Sequence, residues 1–329
     1  EMMLIYLNRE ILVPGLNNIM LSIAKITSYT YRITLNGGTI TNPISSFSTN
    51  SFRQLQTNKI GIVGTGSLGQ SLTRMLLNPG KNNIESIICS VRRSNHMEEL
   101  QNSFMKDISQ SILRFTLNNT EVVQKSNCVL LSVKPSQIKT VCDEIGENIS
   151  PDVKIISVAA AVPLSKLHDW LPRTETIIRC MPNIPCSIGQ GVVPYISRDK
   201  SPETHDIMTK LFYPNILLPL NNDAEIDAST LISGCGPAFL AWYIDCLNRI
   251  SVGTISPDNF NIMMTQTMIG TAHMLQNIST GDIIRTVASP NGATEATLHN
   301  FHRKGIDNII HESLFSAQTR INSIIDTLN

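Results

Sequence analysis

Lys59-Ile60-Gly61-Ile62-Val63-Gly64-Thr65-Gly66-Ser67-Leu68-Gly69 is the stretch that decides the fold. Its first five residues form a short apolar run of the kind that makes a buried strand. A G-x-G-x-x-G turn follows at Gly64, Gly66 and Gly69, and an apolar helical pattern continues to Leu77. A glycine turn between a strand and a helix carries meaning that the bare motif does not. The glycines permit a tight turn and let the backbone approach a pyrophosphate at the helix N-terminus, where unpaired N–H groups point outward. Gly64, Thr65, Gly66, Ser67 and Leu68 are therefore candidate cofactor contacts.

Further strands are expected at 86–90, 128–133 and 154–158, with shorter ones at 176–179, 191–195 and 215–220. Helical patterns fall between many of them, as at 97–114 and 136–145. Buried strands alternating with helices predict a mostly parallel sheet covered on both faces. Past Asn222 the strand signal ends. Residues 223–250 read as one long apolar helical stretch. Ser256-Pro257-Asp258 reads as an N-cap followed by proline, opening a helix to about Ile278. Helices over 292–303 and 306–328 complete the chain. The expected fold class is thus α/β: a doubly wound sheet over 58–222, then an all-helical domain over 223–329. On the last helix Ile306, Ile309, Ile310, Ile321, Ile324, Ile325 and Leu328 recur at helical spacing. Met263, Met264, Met268 and Met274 lie on an earlier helix of this half. Surfaces this apolar need cover on several sides, which a second copy would supply.

Composition removes other classes. Lys+Arg and Asp+Glu balance at 26 each, so no basic field recruits nucleic acid or anionic lipid. The longest strongly apolar uncharged run, 228–244, is interrupted by Gly234-Cys235-Gly236-Pro237. A span needs about 20 mostly apolar residues, so no membrane partner is expected. The seven cysteines form no C-x-x-C pair and read as buried thiols of a reducing compartment. No H-E-x-x-H pattern is present, and no metal site is expected. Residues 1–57 carry Arg9, Lys25, Arg32 and Arg53 against Glu1 and Glu10, and become rich in Ser, Thr and Asn from Thr27. Such a leader is expected to be either an organelle transit peptide or a poorly ordered extension or translated upstream sequence. The location expected is cytoplasmic, or mitochondrial if the leader is a transit peptide.

Five more segments carry candidate chemistry. About 20 residues past the glycine turn, where an acid would bind the ribose diol of NAD, stands Ser90-Val91-Arg92-Arg93-Ser94. Arg92 and Arg93 suit the 2′-phosphate of NADPH, with NADH the weaker alternative. Val133-Lys134-Pro135 closes a central strand and faces the cofactor crevice. Asn183, set among the prolines of Arg179-Cys180-Met181-Pro182-Asn183-Ile184-Pro185, reads as an amide held near a ligand. Ser233-Gly234-Cys235-Gly236-Pro237-Ala238 places glycines in a helix, where close packing or a close ligand should offset their cost. Ser289-Pro290-Asn291-Gly292-Ala293-Thr294 opens a helix and reads either as an anion cradle or as a plain N-cap.

Taken together, these segments resemble the pyrroline-5-carboxylate reductase family from Lys59 to Leu328, most specifically at Arg179–Pro185, Ser233–Ala238 and Ser289–Thr294. The resemblance implies a Rossmann domain, a helical dimerisation domain and NAD(P)H-dependent reduction of Δ1-pyrroline-5-carboxylate to L-proline. It implies that Asn119 contacts the dinucleotide. On the same reading Ser289, Asn291, Gly292, Ala293 and Thr294 bind the small-molecule substrate, with Thr294 at the ring nitrogen as the catalytic group. Self-association as a dimer, or a ring of dimers, follows as well. The chain departs from the family at Cys235, usually serine, at Asn291, usually glycine, and at Asn127, usually aspartate. Ile284-Arg285 falls where a basic–acidic pair is common. Two alternatives stand beside this reading. One is a 3-hydroxyacid dehydrogenase, whose required lysine is missing between Ala228 and Leu247; the other is a non-catalytic nucleotide-binding relative.

Overall fold

Alternate residues of each central strand point to opposite sides of one sheet, and both sides are buried. In Lys59–Val63, Ile60 and Ile62 enter one apolar core while Val63 enters the other. Cys128 and Leu130 likewise oppose Val129 and Leu131. Runs that are apolar at every position, rather than at every second one, follow from this double burial. A computed structural model of the chain describes residues 32–35, 38–41, 58–78 and 84–328. The expectation of a leader over 1–57 lies outside the described residues, except for an antiparallel hairpin of β1 (Arg32–Leu35) and β2 (Gly38–Thr41).

The main sheet holds β3 (Lys59–Val63), β4 (Ser86–Ser90), β5 (Leu113–Thr116), β6 (Cys128–Leu131), β7 (Lys154–Ser157), β8 (Ile177–Cys180), β9 (Val192–Ser197) and β10 (Ile216–Pro219). Their spatial order is β10-β9-β8-β7-β6-β3-β4-β5. From β5 to β8 the strands are parallel, in the doubly wound order that reverses between β3 and β6. β9 turns antiparallel to β8, and β10 runs parallel to β9. The connecting helices are α1 (Ser67–Leu76), α2 (Ser94–Ser103), α3 (Met105–Ser109), α4 (Asn119–Gln124), α5 (Pro135–Ile145), α6 (Leu164–Trp170) and α7 (Pro202–Phe212).

Two expectations need correction here. The helix expected over 97–114 gives way to β5, which pairs with β4 through Ile87↔Leu113 and Cys89↔Phe115. Leu113 and Phe115 are buried and Arg114 exposed, a two-residue period hidden at the end of a helical pattern. Ser111, at φ 60°, makes the break between them. The strand expected over 128–133 ends at Leu131, and Ser132 and Val133 already belong to the turn before α5.

The helical half comprises α8 (Asp223–Ser229), α9 (Gly236–Ser251), α10 (Pro257–Met274), α11 (Thr280–Val287), α12 (Ala293–Arg303) and α13 (Ile306–Thr327). Gly234-Cys235-Gly236-Pro237, expected to interrupt the apolar run, does not break the helix, which runs on through it as the pattern over 223–250 predicts. Pro237 has no N–H to give, and the chain accommodates it with a π turn, Thr230–Gly234, closed by Cys235 N–H donating to the Thr230 carbonyl at 2.8 Å. The continuous rod Asp223–Ser251 is consequently long and apolar enough, by length and composition, to cross a membrane. The helix opened by Ser256 starts as expected, the serine hydroxyl accepting from Asn259 N–H, but ends at Met274.

α8 is tied to the sheet. Ile226 enters the core, and Arg179 on β8, fully buried, donates to Asp223 and to Asp227, the latter at 2.5 Å. The rest of the helical half shows a different surface. Trp242, Ile250, Ile262, Ile309 and Phe315 are exposed, and within α9, α11 and α12 no residue is buried.

Candidate active site

The first cluster stands at the carboxyl ends of β3, β4 and β6, where the strand order reverses. Gly64 adopts φ +90°, and a Cβ there would lie 2.5 Å from Val133 Cγ1. A Cβ on Gly69 would lie 2.4 Å from the Gly64 carbonyl oxygen. These two glycines close the turn against Ser132 and Val133 and against itself. Gly66 differs: a Cβ on it meets nothing within 4 Å. It is the N-cap residue of α1, whose first-turn N–H groups have no partner within the helix and receive no side-chain cap from Gly66. This cradle fits a pyrophosphate, and the residues around it fit the rest of a dinucleotide.

Arg92 and Arg93 are exposed just beyond β4, beside the turn, and Arg93 is the N-cap residue of α2. Lys134 is the exposed N-cap residue of α5, directly before Pro135. Asn119 opens α4 and is joined to the turn through Ser90, whose hydroxyl donates to Asn119 Oδ1 at 2.6 Å. The Thr65 side chain is turned inward, donating to the Ser90 carbonyl at 2.8 Å, so Thr65 offers a ligand backbone only. Ser90, at the end of β4, thereby links the turn to Asn119, a role no local sequence signal marks because the two residues lie 29 apart.

A second cluster joins the segments around Asn183 and Gly234. A Cβ on Gly234 would lie 3.3 Å from Met181 Cε, which accounts for a glycine inside that helix by close packing. The Asn183 amide oxygen accepts from Val192 N–H at 3.1 Å and holds the start of β9.

The third group, Ser289–Thr294, leads into α12, and its hydrogen bonds run back to Val287 at the end of α11, within itself, and to the first turn of α12. Asn291 takes φ 60°, the left-handed conformation that a family glycine in its place implies. Gly292 is the N-cap residue, and a Cβ there would lie 2.6 Å from Ser289 Oγ. Glu295 Oε2 accepts from Asn291 N–H at 2.8 Å and the Ser289 carbonyl from Gly292 N–H at 3.0 Å, so both of these N–H groups are already satisfied. The N–H groups of Ala293 and Thr294, at the first two helical positions, remain for an anion. The signal for Glu295 was its place three residues after the N-cap, the spacing of a capping box.

Burial pushes the thiols of Cys89 and Cys128 up to about 12 and that of Cys180 higher still. They are packing groups, not nucleophiles. Among the described residues no group of three or more His, Cys, Asp or Glu is arranged to hold a metal ion.

A dinucleotide cradle at the switch point of a doubly wound sheet, followed by helices with a large unpartnered apolar surface, defines a self-associating, nicotinamide-dependent oxidoreductase. The family model for NADP oxidoreductases, coenzyme F420-dependent, matches residues 59–161, and the one for pyrroline-5-carboxylate reductase dimerisation matches residues 223–324. The chain is 27% identical over 282 residues to pyrroline-5-carboxylate reductase of Pseudomonas aeruginosa, covering 83% of this chain and 99% of that one. It is also 27% identical to the enzyme of Pisum sativum, over 79% and 94% of the two chains. In fold it is similar to pyrroline carboxylate reductase of Plasmodium falciparum with NADP bound, at a TM-score of 0.68 and 21% identity, covering 82% and 99%. The chain is thus similar to pyrroline-5-carboxylate reductases over most of its length, and its apolar helical rods match their dimerisation domain.

Proposed function

We propose that this protein reduces Δ1-pyrroline-5-carboxylate to L-proline, drawing on NADPH in preference to NADH. The observation that carries the reading is the Ser289–Thr294 loop, left-handed at Asn291 and opening α12 inside the stretch matched as the dimerisation domain. The glycine turn would hold the dinucleotide by its pyrophosphate, and the reduced nicotinamide of that dinucleotide would be the hydride donor for C5 of the ring. The N–H groups of Ala293 and Thr294 bind the ring carboxylate, and the Thr294 hydroxyl stands by the ring nitrogen, which reacts in its protonated form. Because that nitrogen arrives carrying its proton, no strong acid is demanded of the chain, and the work left to these residues is orientation and exclusion of water. Arg92 and Arg93 support the choice of NADPH, since a guanidinium pairs with a 2′-phosphate that NADH lacks. The resemblance extends to a ring of dimers as the assembled form. Proline formation from pyrroline-5-carboxylate and NADPH by the purified protein is the expected result. Nucleotide binding without proline formation would instead support the non-catalytic alternative.

A further inference from the structure

We propose that Ser90 and Glu144 are positioning residues for the dinucleotide, acting through Gly64 and Asn119. The proposal rests on the reading of the glycine turn as the nucleotide site. Four groups form one chain of hydrogen bonds whose directions are all set at one end. A carboxylate only accepts, so the Asn119 amide nitrogen must be the atom facing Glu144 Oε2, at 2.8 Å. The Asn119 oxygen therefore faces Ser90 and takes its hydroxyl hydrogen, at 2.6 Å. With that hydrogen committed, the Ser90 oxygen is left to accept, and Gly64 N–H donates to it at 3.3 Å. Glu144, exposed on α5, thus orients an amide on α4, and the amide orients the hydroxyl that holds the first glycine of the turn.

Two consequences follow for ligand chemistry. Asn119 has one N–H left, held in a fixed direction by its two partners, and that N–H suits a ribose hydroxyl oxygen or a phosphate oxygen of a nucleotide. Ser90 itself is 1% exposed, too deep to touch a ligand, so any effect it has on nucleotide affinity is transmitted through its partners.

The test measures Kd for NADPH and for NADH by titration calorimetry, together with kcat at saturating nucleotide and the thermal midpoint. Ser90→Ala should raise both Kd values by the same factor, roughly two- to tenfold, the worth of one neutral hydrogen bond, and leave kcat unchanged. Glu144→Leu, at a surface position where folding is not at issue, should also raise both. Glu144→Gln should restore them, because its amide oxygen still accepts. The combined Ser90→Ala, Asn119→Ala variant should lose less than the product of its single effects, as residues in one network do. Unchanged Kd values with a lowered thermal midpoint would reduce Ser90 to a structural role and overturn the proposal. An effect on NADPH alone would overturn it too, by placing Ser90 at the 2′-phosphate. If the unaltered protein binds neither nucleotide, the reading of the glycine turn itself fails, an outcome separate from the other two.

Discussion

Arg92 and Arg93 differ from the other candidate contacts in that the role proposed for them depends on one phosphate group. Replacing both by Ala should raise KM for NADPH far more than for NADH; equal effects on the two would remove these arginines from the cofactor site. Thr294 and Asn291 are proposed to serve the other end of the reaction. Thr294→Ala should lower kcat/KM about ten- to a hundredfold, the worth of a hydrogen bond to a charged group, with Kd for NADPH unchanged. A variant that only melts earlier and turns over normally when folded would make Ser289–Thr294 a helix cap and nothing more. At Asn291 the structure supplies the argument, since φ 60° is open to Asn and Gly but strained for a β-branched side chain. Asn291→Gly should be neutral or mildly activating, and Asn291→Val should raise KM for the pyrroline carboxylate.

At the scale of elements, the glycine turn separates folding from binding. Gly69→Ala forces a Cβ to 2.4 Å from the Gly64 carbonyl and should destabilise the protein outright. Gly66→Ala meets no protein atom within 4 Å, so it should melt normally and still lose nucleotide, because its Cβ stands where the ligand goes. Calorimetry of both variants, free and with NADPH, tells the two effects apart. Glu121 on α4 gives a pH dependence. Hydrogen bonds from Thr116, Lys125 and Arg114 hold its carboxyl well below the usual 4.5, at about 2. A carboxyl lowered on folding contributes stability that is complete above its ordinary value and is lost as pH falls from there toward 2. Acid unfolding of Glu121→Gln should therefore be shallower across that window than acid unfolding of the unaltered protein. The same scale shows what the sequence could carry. β4 was legible to the residue, because Ile87, Ile88 and Cys89 are buried on both faces and leave a continuous apolar run. β5 was not, because an edge strand of four residues with one exposed arginine looks like the end of a helix. The glycine turn could be read because φ/ψ needs select the residue type locally. The Ser90–Asn119–Glu144 chain could not, because its partners lie 29 and 25 residues apart and only the fold brings them together.

The whole molecule is unfinished as a single chain, since α9, α11 and α12 bury no residue against the rest of it. Dimerisation supplies the missing cover, and substitution of Trp242, 67% exposed on α9, by Asp should shift sedimentation toward monomer. Proline formation should fall with it if the substrate loop at the head of α12 is set by the same contact. The join between the two halves has its own consequence, for anyone who would cut and graft them. A division after Asn222 looks natural, since the last strand is complete and the helices are about to begin. Yet the guanidinium of Arg179, sealed beneath β8, finds both its counter-charges at Asp223 and Asp227, on the far side of that cut. A fragment stopping there would carry an uncompensated buried cation, a defect worth about 3–5 kcal/mol. A chimera that exchanges helical halves must therefore keep residues 223–229 with the sheet they neutralise and place its seam in the π turn beyond.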